Sequence, residues 1–124
     1  NTNKFNPFAM NMRLPAPNTV RRNANGWLPY RGANDTTGLR LSNNLVNPLA
    51  DTPSILDQGK LLYDINCKHC HGAKGAGDGK VADKYPGVAN LTGDAIKGVS
   101  EGHIFHVITY GKGLMGAHGS QVSE

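Results

Sequence analysis

Cys67-Lys68-His69-Cys70-His71 constrains this chain more than any other stretch. Its cysteines stand three positions apart and the second is followed at once by histidine, the spacing of a c-type haem attachment site. On a helix, positions i and i+3 share one face. Both sulfurs can therefore reach the two vinyl groups of one macrocycle, and the next residue turns its imidazole up to the iron. Zinc would want four ligands, usually from a second Cys or His pair, and there is no third cysteine. A redox dithiol of thioredoxin type needs a βαβ frame, which the flanks do not offer. A Cys67–Cys70 disulfide would close too short a loop to stabilise much. The reading is one covalent haem c, attached through Cys67 and Cys70, with His71 as proximal ligand.

A chain of 124 residues has room for one small domain and a further segment. Glycine is high at 16 and aromatics are few, so the core must be thin and an enclosed cofactor would compensate. No run of about 18 apolar residues offers a membrane-spanning helix. The first residue is not methionine, which leads us to expect that a leader has been removed. Thioether attachment of haem is associated with the same oxidising side of a membrane.

The net charge of +4 is uneven. Residues 1–50 carry Lys4, Arg13, Arg21, Arg22, Arg31 and Arg40 against Asp35 alone, whereas residues 51–124 carry seven lysines against eight acids. The basic character belongs to the first part. Dispersed arginines without interleaved aromatics make a poor nucleic-acid surface, and no nucleic acid is expected as a partner.

Residues 1–50 read unlike the rest. Asparagine occurs eleven times there and twice afterwards, five prolines punctuate the stretch, and no helical or strand period lasts. Such a segment buries too little apolar surface to offset its own ordering entropy. Phe5, Phe8, Met10, Met12, Leu14, Trp27, Leu28 and Tyr30 are nonetheless scattered through it. They suit anchors of an extended arm, with few contacts to its own domain, lying across partner subunits.

From Asp51-Thr52-Pro53 the pattern changes. Asp51 or Thr52 reads as an N-cap with proline in the first turn, opening a helix to about Asn66. Ile55, Leu56, Leu62, Tyr63 and Ile65 are candidates for its buried side, and Gly59, costly inside a helix, suggests close approach of another helix. After His71, the run Gly72 to Lys80 is glycine-rich but lacks the G-x-x-x-x-G-K-[ST] order and a preceding strand. It reads as a backbone wrap around the haem edge. Pro86 and Leu91 fall where a loop must close over the proximal face. The carbonyl of Pro86 or of a neighbour is expected to accept the Nδ1–H bond that orients His71. Ser100 caps a second helix to about Tyr110, with Glu101 in its first turn, where the dipole favours an anion. Gly111 to Gly116 ends it in a turn, and Ser120 to Glu124 reads as the opening of a further helix, expected to continue beyond 124. The fold class expected is all-α: a small helical haem domain over 51–124, behind a mostly irregular arm over 1–50.

The distal ligand has several candidates: Met115, Met10, Met12, His69, His103, His106 and His118. Met115 lies in a glycine-flanked turn that can bring a thioether to iron, and is preferred, with His118 next and an open site after it. His69 points away inside the attachment turn. His103 and His106 share a helix face and suit a solvated or propionate-facing pair. A methionine ligand raises the reduction potential and favours electron transfer over oxygen chemistry.

In this order of elements the second part resembles the class I c-type cytochromes: a helix, Cys67, Cys70 and His71, a Gly-rich loop from Gly72, then a helix and Met115. Most relatives place proline after the ligand methionine, where this chain has Gly116. The resemblance implies a closing C-terminal helix after Glu124. In the first part, Met12-Arg13-Leu14-Pro15-Ala16-Pro17-Asn18-Thr19-Val20-Arg21-Arg22 resembles the arm of the mono-haem subunit of alternative complex III, a bacterial quinol-oxidising complex. Val88 to Thr92 and Ser120 to Ser123 resemble its other local motifs. This likeness implies an electron-transfer subunit, not itself an enzyme, on the periplasmic side of the bacterial inner membrane. Its electron partner would be a neighbouring haem protein, an oxidase or a soluble carrier. Its membrane association would be indirect or through a lipid anchor. A free-standing or differently partnered periplasmic mono-haem cytochrome is the alternative. A haem peroxidase is a further one, and it would need a vacant iron position.

Overall fold

The computed structural model describes residues 17–19 and 30–122. Its chain divides into two units, Asn1–Tyr30 and Arg31–Glu124. In the first, Pro17 and Asn18 form an exposed turn, with Asn18 at φ 62°, the left-handed region that asparagine tolerates. Phe5, Phe8, Met10, Met12, Leu14, Trp27 and Leu28 lie outside the described residues.

The second unit is helical, and no β-strand occurs among the described residues. Helix α1, Thr36–Ser42, starts where the Asp35 carboxylate accepts the Gly38 amide at 2.7 Å. Helix α2, Pro53–Asn66, starts where the Thr52 hydroxyl accepts from the Ile55 amide, with proline in the first turn. It passes through Cys67 into a single turn, α3, Lys68–His71. A 3-10 turn at Ala82–Lys84 and the one-turn α4, Asp94–Lys97, follow. Helix α5, Glu101–Tyr110, is capped by Ser100, whose Oγ accepts the His103 amide at 3.2 Å. Among the described residues no helix is long and apolar enough to cross a membrane.

Helix α1 corrects the expectation of an irregular arm up to residue 50. It packs on α5, and the unit boundary falls at Tyr30–Arg31. Small residues make this contact possible. A Cβ at Gly102 would fall on the Ser42 carbonyl and crowd Leu45, so only glycine admits α1 this closely. Ser42 is 1% exposed, and its hydroxyl is satisfied by the Leu39 carbonyl at 2.6 Å. Asn43, just past α1, accepts the Ser100 hydroxyl at 2.7 Å, which ties the end of α1 to the start of α5.

Helix α2 departs from expectation on two points. Leu56 and Ile65 are 62% and 64% exposed, while Ile55, Leu62 and Tyr63 are half-buried. No described atom outside the helix comes within 4 Å of a Cβ built on Gly59, so the close helix expected there is not found. At the other end, His118 carbonyl accepts the amides of Gln121 and Val122. The chain makes one turn there, and Ser123 and Glu124 lie outside the described residues.

Candidate functional site

The attachment turn grows out of α2 without a break. The Cys67 amide still bonds back to the Tyr63 carbonyl at 2.9 Å, and the Cys67 carbonyl takes the amides of Cys70 and His71 at 3.1 and 2.9 Å. Cys67 and Cys70 thus lie one turn apart on one face, as free, half-buried thiols. Asp64 bridges Lys60 on α2 and Lys68 on α3 at 3.0 and 3.3 Å, exposed pairs of small energetic weight. Burial pushes the Cys67 thiol above its ordinary value, and the neighbouring Cys70 adds to the shift. A reactive redox dithiol needs the opposite, a depressed thiol.

A helix end leaves its last carbonyls without partners, and here the glycine-rich loop supplies them. Gly72 amide bonds to Lys68 carbonyl at 2.8 Å, Val81 to His69 at 3.1 Å, Gly79 to Cys70 at 3.0 Å, and Gly77 to His71 at 2.9 Å. From Gly77 to Val81, alternate residues of the loop each cap one carbonyl of α3. A Cβ at Gly79 would fall on the His69 and Cys70 carbonyls, so glycine is required there by space. At Gly72, φ 80° and ψ 167° make a conformation open to glycine alone. The glycine run thus wraps the carbonyl end of the attachment turn.

The same loop seats the segment that orients His71. Leu91 amide donates to Gly75 carbonyl at 2.7 Å, and Leu91 is half-buried against Gly75. Just before it, Ala89 carbonyl accepts the His71 Nδ1–H at 3.0 Å. That bond fixes the tautomer and leaves Nε2 with its lone pair for a metal. The acceptor is thus the Ala89 carbonyl and not that of Pro86, which is exposed three residues earlier. Sequence reasoning missed Ala89 because a backbone acceptor has no residue signature; only the loop's path selects it.

Met115 stands in a separate turn at the end of α5. Lys112 and Met115 exchange both backbone hydrogen bonds, at 3.0 and 3.1 Å. Gly113 takes φ 60° and Leu114 is 73% exposed at the tip. A Cβ at Gly111 would fall on the Met115 carbonyl. Met115 is half-buried and lines an open cleft of about 450 Å³ with Leu39, His106, Val107 and Tyr110. The cleft's walls include none of Cys67, Cys70 or His71, so donor chemistry, and not the cleft, marks the attachment site.

Among the histidines, His106 is 3% exposed and its ring lies 5.0 Å from that of Tyr110, so of the two expectations, solvated or propionate-facing, the first does not hold for it. His103 is half-buried, and burial, then Lys112 and His106, push its pKa down. His118 turns its Nδ1–H onto the Gly116 carbonyl at 2.8 Å. His69 is exposed, and Met10 and Met12 lie outside the described residues.

Two thiols one helical turn apart and an imidazole with Nε2 free fit the vinyl groups and iron of one haem. Among the described residues no hydrophobic side chain is fully buried, so these residues by themselves make no closed apolar core. The family model described as cytochrome c oxidase, cbb3-type, subunit III matches residues 55–124. The chain belongs to this cytochrome c family. No curated protein matches the chain. Membership carries covalently bound haem c as the cofactor and haem-based electron transfer as the activity. This cytochrome c domain begins inside α2 and takes in the attachment turn, the glycine wrap, α5 and the Met115 turn.

Proposed function

We propose that this cytochrome carries one haem c, which would be joined by thioethers to Cys67 and Cys70 and held at its iron by His71 and Met115. It would serve as an electron-transfer subunit of a membrane-associated quinol-oxidising respiratory complex, on the periplasmic side of the bacterial inner membrane. The haem supplies a one-electron couple. The protein's part is to keep both ligands in place so that electron exchange costs little rearrangement. The observation that carries the ligand assignment is His71, whose Nδ1 is committed to Ala89 at 3.0 Å, leaving Nε2 for iron. The doubly hydrogen-bonded Lys112–Met115 turn is a rigid mount for a thioether, and a sixth ligand opposes peroxidase chemistry.

The arm motif over residues 13–22 supports the quinol-oxidising complex, and it lies outside the matched range of 55–124. Burying an aromatic such as Phe5 or Trp27 on a partner subunit would stabilise the arm by roughly 1.5–3 kcal/mol each. The second reading, a subunit of a cbb3-type oxidase, is favoured by the family description.

One preparation tests the ligands and the complex. The denatured chain should weigh one haem more than its polypeptide, and Met115→Leu should abolish the thioether–iron charge-transfer band and lower the potential. A bare-polypeptide mass, or a low-spin spectrum lost with His118→Leu and kept with Met115→Leu, would overturn the ligand set. Because α1 packs on α5, the arm is to be cut before Arg31. Loss of 1–30 should leave a normal spectrum and abolish co-purification with quinol-oxidising subunits. Co-purification with oxidase subunits instead would establish the second reading.

A further inference from the structure

Tyr63 stands in the last turn of α2, half-buried, four positions before Cys67. Its hydroxyl donates to the Gly72 carbonyl at 2.6 Å, on the residue directly after His71. The same carbonyl takes the Gly75 amide at 3.2 Å, and Gly75 carbonyl takes the Leu91 amide at 2.7 Å. Two residues before Leu91 is the Ala89 carbonyl that accepts the His71 Nδ1–H. A connected path of hydrogen bonds and backbone therefore runs from the Tyr63 hydroxyl to the atom that orients the imidazole. The parts are also packed together. A Cβ built on buried Gly75 would lie 3.2 Å from Leu91 Cβ and 3.7 Å from the Tyr63 hydroxyl oxygen. Burial above all raises the Tyr63 phenol above its ordinary value, so at neutral pH it is protonated and donates.

We propose that Tyr63 is a positioning residue for the iron's histidine ligand: by pinning the Gly72–Gly75 turn it holds Ala89 on His71 and lowers the reduction potential. An imidazole that donates a firm Nδ1–H bond is more basic toward its metal. A more basic ligand stabilises the oxidised iron, and outer hydrogen bonds of this kind are among the means by which a protein sets a haem potential. Phenylalanine would keep the ring in place and leave Gly72 carbonyl with its backbone donor alone. The segment 88–91 would then be held less firmly, and the His71 bond with it.

This inference rests on His71 ligating the haem, and the experiment separates the two. Wild type and Tyr63→Phe are purified as holoproteins, and potential and amide exchange are measured on each. Tyr63→Phe should load haem, keep the low-spin spectrum, shift the potential upward and speed exchange at the Leu91 amide, with the Cys67 amide just past α2 unaffected. Incorporating 4-aminophenylalanine at position 63, which restores a donor, should return both readings toward wild type. If Tyr63→Phe yields no holoprotein, 4-methylphenylalanine, which fills the hydroxyl's volume without donating, is compared with the amino analogue by the same readings. An unchanged potential with unchanged Leu91 exchange overturns the role of Tyr63. A wild-type chain without thioether-bound haem overturns instead the reading beneath it.

Discussion

The attachment turn and the α1–α5 contact are both tight places in this small cytochrome, and they are held by different means. From residue 67 to 81, each carbonyl of the turn meets an amide close by in the chain; the widest span, His69 to Val81, is twelve positions. By contrast, α1 reaches α5 across a gap of 57 positions between Asn43 and Ser100. Its fit depends on one missing side chain at Gly102. The first region forms from neighbours and needs glycine for its path. The second must close a long loop, whose entropy grows only slowly with length, and needs glycine for surface contact. Local order thus builds the attachment turn, and long-range packing ties the segment after Arg31 to α5.

The largest effect that would sharpen this contrast comes from glycine substitutions in the two regions. Gly79→Ala drives a methyl into the His69 and Cys70 carbonyls. It should lose about 1–3 kcal/mol, measured by denaturant unfolding of the holoprotein, and should disturb the haem spectrum as well. Gly102→Ala should cost a similar amount, yet leave the spectrum unchanged while α1 amides exchange faster. If Gly102→Ala alters the spectrum as strongly as Gly79→Ala, the two regions are not separable.

A smaller effect tests the latch alone. Ser100→Ala removes both the α5 cap and the donor to Asn43, and should cost about 1 kcal/mol. A double-mutant cycle with Asn43→Ala should return a coupling of about 0.5–1.5 kcal/mol; additive losses would mean that the bond adds nothing to holding α1.

The smallest effect concerns pH. Burial above all, with Asp64 and Asp78 adding, raises the Tyr63 phenol above its ordinary value of 10.0. The folded chain therefore holds this proton longer than the unfolded one. The stability it contributes is fully present below the unfolded value and is lost as pH rises through the folded one. Unfolding followed from about pH 8 to about pH 11 should show a steeper alkaline decline for wild type than for Tyr63→Phe. Parallel curves would place the phenol's titration at its unfolded value.

Much of this cytochrome could be read before its structure. Thr52 and Pro53 announced α2, Ser100 announced α5, and the spacing of Cys67, Cys70 and His71 implied the cofactor. Each of these depends on neighbours within four positions, where side-chain type and backbone geometry are directly coupled. Helix α1 was not legible, because it is only two turns long and Thr36, Thr37, Gly38 and Ser42 are weak helix formers. What holds it is the groove at Gly102, a feature of another helix. Gly59 shows the same limit from the other side, since glycine in a helix signals close approach only if something approaches. The choice of Ala89 over Pro86 as the acceptor for His71 was likewise settled by the loop's path, because every residue offers the same carbonyl. Residue types near one another in the chain determined the attachment chemistry and the helix starts; only the tertiary structure decided which distant backbone atoms meet, since those meetings depend on space left by residues far away in sequence.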